Sequence, residues 1–567
     1  MELIELARGL MASWQIRLLI GFAAAVYLYG LRPMQRWKLR HFPGPAAAWL
    51  LGSGPLVKKH GGIALAHQAM CRVYGPVWAS IGSPEPMIVT DHPELARKMM
   101  LLSSMRPAFP SLFFGREREF EAGNIVAARG EKHKSLRAAW QPMFFSGSLE
   151  AFSVLMNEAA ELLIDTLSAA AKAGRSVDIH RLLGDMTMAV VGTTAFGVDF
   201  HTQAGDDTAS AGPDADAERL RDAANTLFRV NPMTFSVWTA LLFLFPIAAP
   251  LVRLLAAALP DKGVRRMLGA RQAVQDVALR LVADHRRFLA QDSAAAPKEP
   301  PNATPGAPPL PPGDAHALPA NNGRARGGPV RRGVAPGSFL DLLMRAADRT
   351  TGRGFTDLEV ANQVNVMILA GFETTANALA FATYLLSTNP TKRERLLAEV
   401  DAFGRKRVPT LHDLDKLPYL EACLKESLRL FPPATTIIRM ATRHMELGGF
   451  RVEPGQWLAV AAYSMHRNPA YWQDPEAYLP ERYMPGTPEA AAVPEHGWVP
   501  FGEGTRACIG LRFALEEAKI ALLRLCQRFT FELEPGQEPL QVRQSNILAP
   551  EGGLCVRVVP RGLQPEA

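Results

Sequence analysis

Cys508 lies in the run Phe501-Gly-Glu-Gly504-Thr-Arg506-Ala-Cys508-Ile-Gly510, where a Phe, two Gly, an Arg and a Cys fall at fixed intervals. Glycine lets a backbone turn tightly beneath a flat ring system, and the phenyl group of Phe501 can cover a sulfur. A helical pattern begins near Leu511, so Cys508 stands where helix-start N–H groups and the positive dipole end favour S⁻ over SH. Those are the requirements of a sulfur ligand to haem iron, and thiolate ligation favours O–O cleavage where a histidine would suit simple oxygen binding. A lone cysteine in a chain that is 48% hydrophobic is by default an inert buried residue. The spacing lifts Cys508 out of that class and leaves Cys71, Cys423, Cys526 and Cys555 as packing residues. The five form neither a disulfide framework nor a zinc pattern, which indicates a reducing compartment.

A second group of residues has types suited to handling oxygen and protons. Ala370-Gly371-Phe-Glu373-Thr374-Thr375 falls within a long helical pattern opened by the capping box Thr356-Asp-Leu-Glu359 and expected to run to about residue 388, before Asn389-Pro390. A mid-helix Gly costs about 1 kcal/mol against Ala, so Gly371 implies either room for a small molecule or close helix packing. Thr374 can hydrogen-bond an oxygen atom and, with Glu373, pass protons to it; the plain alternative is a hydroxyl bonded to its own helix. His133 and Arg137 share one helix face a turn apart, and with Arg439 and Arg506 they are candidates to hold anionic groups. Glu426 and Arg429, three residues apart, would be worth only a few tenths of a kcal/mol on a solvated helix.

With Pro480-Glu481-Arg482-Tyr483, these motifs stand in the order found in the cytochrome P-450 family of haem-thiolate monooxygenases, which the chain resembles from about residue 42 to residue 559. Its texture is similar to the microsomal eukaryotic type, although Tyr483 replaces the usual Phe and His133 the usual Trp. The resemblance implies a mainly α fold with small β-sheets, a triangular helical domain holding haem b between the oxygen-handling helix and the cysteine loop. Cys508 would be the axial ligand, with Phe501 and Gly371 beside the macrocycle and His133, Arg137, Arg439 and Arg506 on its propionates. Glu373 and Thr374 would be the catalytic proton-handling pair. Glu426, Arg429 and Arg482 would form a buried ionic support, and breaking it would cost about 3 to 5 kcal/mol. Electrons would come from NADPH through cytochrome P-450 reductase, with cytochrome b5 a further candidate, docked on Lys132, Lys134 and Lys425. The substrate would be an apolar small molecule such as a lipid, terpenoid, steroid or apocarotenoid. A reductase-independent isomerase or dehydratase acting on a ready-made peroxide commonly alters the Thr or lengthens the cysteine loop, and a non-catalytic haem carrier would be expected to lose the Glu-Thr pair. This chain does none of these.

The elements that must position these residues come from the rest of the 567-residue chain. Sixty-two basic against 55 acidic residues leave a net charge of +7, which suits an anionic membrane surface and an acidic redox partner and gives no support to nucleic-acid binding. Residues 1–40 read as an N-terminal anchor: 18–31 are uncharged and mostly apolar, and Arg32, Arg36, Lys38 and Arg40 follow. That places a catalytic domain of residues 41–567 in the cytoplasm at the endoplasmic reticulum membrane, with a plastid membrane as the alternative. Residues 42–45 form a stiff Pro/Gly hinge. Residues 291–337, rich in Pro, Ala and Gly, read as a disordered insertion, and 202–217 as a smaller loop. Residues 231–252 carry no charge but contain Pro232, Pro246 and Pro250, which favours a segment dipping into the membrane over a second span. Strand-like stretches occur near 86–90, 457–463 and 554–559, and 109–120, 435–438 and 546–549 are expected to line the substrate pocket.

Overall fold

The computed structural model describes residues 21, 25, 37, 39–45, 53–80, 85–107, 112, 123–200, 202–203, 214–228, 236–245, 248–295, 337–349, 351–544 and 547–562. The helices that frame the site are α1 (Pro93–Leu102), α2 (Gly130–Trp140), α3 (Ser146–Lys172), α4 (Ile179–Val191), α5 (Asp214–Phe228), α6 (Lys262–Ala295), α7 (Asp357–Thr388), α8 (Pro418–Leu430) and α9 (Leu511–Arg528). A helix apolar all round belongs in a core. Among the described helices α7 is the one long and apolar enough to cross a membrane, and 72% of its most apolar stretch is buried by the protein's own atoms. Helices α4, α6, α8 and α9 pack around it. Thr356 caps it: its hydroxyl accepts the Glu359 N–H, and the Glu359 carboxylate accepts the Thr356 N–H at 2.9 Å.

The β-structure is small. One sheet has the order β1 (Val77–Ser80), β2 (Met87–Thr90), β7 (Trp457–Val460), β4 (Ile437–Met440), with β2 and β7 parallel and the outer pairs antiparallel. A second has β3 (Val177–Asp178), β11 (Cys555–Pro560) and β8 (Phe529–Leu533). Two ribbons complete it, β5 (Met445–Leu447) with β6 (Phe450–Val452), and β9 (Val542–Gln544) with β10 (Leu548–Pro550).

The mainly α class, the bounds of α7 and the start of α9 agree with the sequence reading; several boundaries differ. The strand expected over 457–463 ends at Val460, because Ala462–Met465 turns into a short helix. Helix α6 runs to Ala295, into the expected insertion, and α5 begins at Asp214, inside the expected loop. Thr202 of that loop is buried, its hydroxyl donating to the Asp185 carbonyl. Pro250 occupies the first turn of Ala249–Ala258, where its missing N–H has no partner to lose. Most of the anchor, residues 296–336 and most of 109–120 lie outside the described residues.

One ionic lock fixes the approach to the cysteine loop. Glu426 and Arg429 on α8 are both fully buried and paired fork to fork, Nε–Oε2 at 2.7 Å and Nη2–Oε1 at 2.8 Å. Arg482 adds a third contact to Glu426 at 3.2 Å. The remaining donors reach main-chain carbonyls: Arg429 those of His466, Pro475 and Ala477, and Arg482 those of Gln473 and Asp474. His466 carries the lock onward. Its Nδ1 donates to the Arg429 carbonyl at 3.1 Å, and its Nε2 accepts the Val499 N–H at 3.0 Å, two residues before Phe501. Burial, with Arg429 and Arg467 nearby, pushes His466 down to about 3, so the ring stays neutral and keeps Nε2 free to accept.

Arg482→Ala leaves the Glu426 charge buried with one cation fewer, so it is expected to cost about 3 to 5 kcal/mol in urea unfolding and to reduce cofactor content on expression. Unchanged stability and content would show that Arg429 alone balances Glu426.

Candidate active site

The cysteine loop is built on left-handed turns. Gly502 and Gly504 have φ of 66° and 76°, conformations costly for residues with a Cβ. Gly510, which the sequence pattern puts on a par with Gly504, has φ −88° and serves as the N-cap of α9. The Cys508 N–H bonds the Phe501 carbonyl at 2.9 Å, and the Ala507 N–H bonds that of Gly504 at 3.0 Å. Phe501 is half-buried, its ring centroid 6.0 Å from that of Trp498. Cys508 is exposed to open space although protein crowds its sulfur. That crowding raises the thiol above its ordinary range, while the Gly510 N–H, Arg137 and Arg106 act to lower it. The N–H at the start of α9 thus acts in the direction the sequence suggests, although desolvation of the sulfur is the larger influence. A cation facing the sulfur would restore the balance.

Around the loop lies a group of cations without acids. Arg439, 2% exposed, donates from Nη1 to the Ile438 carbonyl, while its Nε and Nη2 have no partner. Burial, then Arg106 and Arg506, pulls it down to about 9. The buried Nε of Arg106 is likewise without a partner. Arg137 donates to the Ala507 carbonyl at 3.0 Å, tying α2 to the cysteine loop. Arg506 donates to the carbonyls of Ser104, Ile125 and Ala128, so it acts first as a strut between loop segments. His133 is buried and held at about 4 by desolvation and by Arg506, Arg137 and Arg106, so it is a neutral ring with an N–H to offer, as the Trp it replaces in the family pattern would be. None of the four arginines enters an ion pair among the described residues. Buried cations without counter-ions call for an anion, and orphaned donors beside an exposed cysteine fit a macrocycle with two carboxylates.

On α7, Ala370 is exposed in the middle of an otherwise buried helix, and Thr374 lies beside it on the same face, partly exposed. The Thr374 hydroxyl donates to the Ala370 carbonyl at 2.7 Å. Gly371 is different: a Cβ there would stand 2.7 Å from Val191 Cγ2, so its missing side chain admits α4 to close packing. Glu373 is buried and pairs with Arg543 of β9 at 2.8 Å. Lys132, Lys134 and Lys425, expected as docking charges, are paired with Glu359 and Asp348, with Glu131, and with Glu421. The pattern had not singled out Arg106, Gly502, His466 or Arg543. Arg106 follows α1 without periodicity, and His466 and Arg543 gain meaning only through partners far away in sequence.

A family model described as Cytochrome P450 matches residues 42–556. Among curated proteins the chain is 25% identical over 547 residues to "Cytochrome P450 3A11" of Mus musculus and 26% identical over 548 residues to "Cytochrome P450 3A41" of Mus musculus. It is 25% identical over 548 residues to "Cytochrome P450 3A7" of Homo sapiens, and each match covers 94% of both chains.

Arg439→Met replaces an unpaired buried cation with an apolar chain of similar reach. The cofactor-free protein is expected to unfold at higher urea than wild type, while the loaded protein loses its haem faster to an acceptor protein. Faster loss without the gain in the empty form would show that Arg439 is not an uncompensated charge.

Proposed function

The chain belongs to the cytochrome P450 family, and on that premise we propose that it inserts one atom of dioxygen into an apolar small molecule, with Cys508 as the iron ligand and NADPH as the electron source through a reductase. Membership makes it a haem-thiolate monooxygenase, an oxidoreductase. The observation that carries the residue assignment is an exposed cysteine near Arg137 and Arg106, two of a group of four arginines that have no acids among the described residues. Haem, held by Cys508, would supply the redox chemistry. Arg439 and Arg106, with unused donors, and Arg137 would hold its carboxylates; His133 would add a neutral N–H, and Arg506 would act through its charge. Phe501 would cover the sulfur, and the Gly510 N–H would donate to it.

On the opposite side, Ala370 would leave space for dioxygen. The Thr374 hydroxyl, rotated from the Ala370 carbonyl, would be able to donate a hydrogen bond into that space. Glu373 would support that proton supply once freed from Arg543. Gly371 would act through the approach of α4 rather than by touching the cofactor. Endoplasmic reticulum placement, the N-terminal anchor and a membrane contact at 231–252 belong to the same reading, with haem b as the haem type and cytochrome b5 as a second donor.

Cys508→Ala is expected to abolish the red-shifted Soret band of the reduced carbon monoxide complex, which a neutral ligand does not give. Retention of that band in Cys508→Ala and its loss in Cys423→Ala would move the ligand elsewhere. Thr374→Ala is expected to keep the band but release more hydrogen peroxide per NADPH in the presence of reductase and a fluorogenic 7-alkoxycoumarin. Unchanged peroxide yield would remove Thr374 from the proton supply.

A further inference from the structure

The open face of α7 passes through Val366, Ala370 and Thr374, each at least partly exposed. Residues at i, i+3, i+7 and i+11 share one side of a helix, so Gln363 belongs to the same row, about 10 Å from Ala370 along the axis. There the face closes, and Gln363 is fully buried. Residues 123–128 lie against it as a strap of main chain. The Gln363 Oε1 accepts the Ile125 N–H at 3.0 Å, and its Nε2 donates to the Gly123 carbonyl at 3.0 Å and to the Glu359 carbonyl of its own helix at 3.1 Å. Between those two grips Asn124 folds the strap: its Oδ1 accepts the N–H groups of Val126 and Ala127, and its carbonyl accepts that of Ala128.

The cysteine loop holds the same strap from the other side. Arg506 donates to the Ile125 carbonyl at 3.3 Å and to the Ala128 carbonyl at 2.5 Å, besides that of Ser104. Ile125 therefore gives its N–H to α7 and its carbonyl to the cysteine loop, and one residue joins the two elements that face each other across the site. Only Arg129 separates the strap from the start of α2, which carries His133 and Arg137. A glutamine that did no more than satisfy its own amide could do so on its helix and one neighbour. Gln363 instead grips main chain on both sides of Asn124, so its contribution is to the path of the strap.

We propose that Gln363 is a positioning residue for the cofactor: it latches residues 123–128 so that Arg506 and the start of α2 are held where anionic groups can meet them. The latch and the cofactor then stabilise each other. The proposal rests on the reading that Cys508 and the arginines hold haem. With carboxylates beside it, Arg506 keeps the Ile125 and Ala128 carbonyls, and Ile125 stays in register for Gln363. Release of the strap would leave a buried donor and a buried acceptor of Gln363 unpaired, together with their main-chain partners. Such coupling is reciprocal: the factor by which the cofactor steadies the strap is the factor by which the latch tightens the cofactor.

Gln363→Met keeps length and burial but removes both bonds to the strap, whereas Gln363→Glu keeps an oxygen for the Ile125 N–H. In the haem-loaded Gln363→Met protein, amide hydrogen exchange over residues 123–128 is expected to be about tenfold faster than in wild type, the scale of one buried main-chain group left unpaired. Exchange in α9 and in the ribbon β5–β6 should change less than about twofold. Haem should pass to an acceptor protein about tenfold faster, and Gln363→Glu should lie between Gln363→Met and wild type in both measurements. In wild type, haem loading should slow exchange over 123–128 more than in the ribbon β5–β6. Equal slowing at the two places would overturn the coupling without any variant. Faster exchange throughout Gln363→Met, with a lower urea midpoint, would make Gln363 a core residue and overturn the latch; haem loss as slow as in wild type would overturn its link to the cofactor. If wild type gives the thiolate carbon monoxide band and Gln363→Met keeps its haem, this inference fails alone. Absence of that band from wild type would instead fail the reading beneath it.

Discussion

The buried charge of Glu426 governs the cysteine side of the molecule. A carboxylate with no solvent must be balanced, and it is balanced twice, by Arg429 on its own helix and by Arg482 from the segment that precedes the cysteine loop. Because those arginines also bind five main-chain carbonyls, the charge pair organises backbone rather than side chains. His466 extends that order to Val499, and the Gly502 and Gly504 turns then bring Cys508 under the site. The same pair on a solvated surface would do almost nothing.

Opposite requirements meet a few residues further on. Around Glu426 the protein gives one acid two cations; around Cys508 it leaves arginines without acids among the described residues. Arg106, Arg137, Arg439 and Arg506 lower one another or are lowered by burial, which is a standing cost to the empty fold. On the proposed reading, a dianionic, metal-bearing ligand would remove that cost and supply a cation to the sulfur, so that cofactor affinity and the cost of these unpaired arginines would have one cause.

The state of a carboxyl group is likewise set by environment rather than residue type. Three glutamates lie on α7 and α9, each in a different setting: Glu373 is paired with Arg543, Glu516 is raised by burial to about 7, and Glu517 is buried without a cation. A sequence reading gives all three the same chemistry. Burial and partners separate them.

Local patterns carried a large part of this protein. The cysteine run, the capping box before α7, the start of α9 and the family itself could be read from spacing, because turn glycines, caps and a helix-start cysteine depend on neighbours within a few residues. Residue 373 could be put forward as a site acid, but not as the partner of Arg543, 170 positions away. Gly371 could be read as a demand for space, but only the approach of Val191 decided that the space admits a helix. His133 could be placed one turn from Arg137, but its neutral state follows from burial and from three arginines that come together only in the fold. Sequence determined which residues were available and which turns they make; tertiary structure decided their charge states, because a pKa depends on what lies within a few ångströms in space and not along the chain.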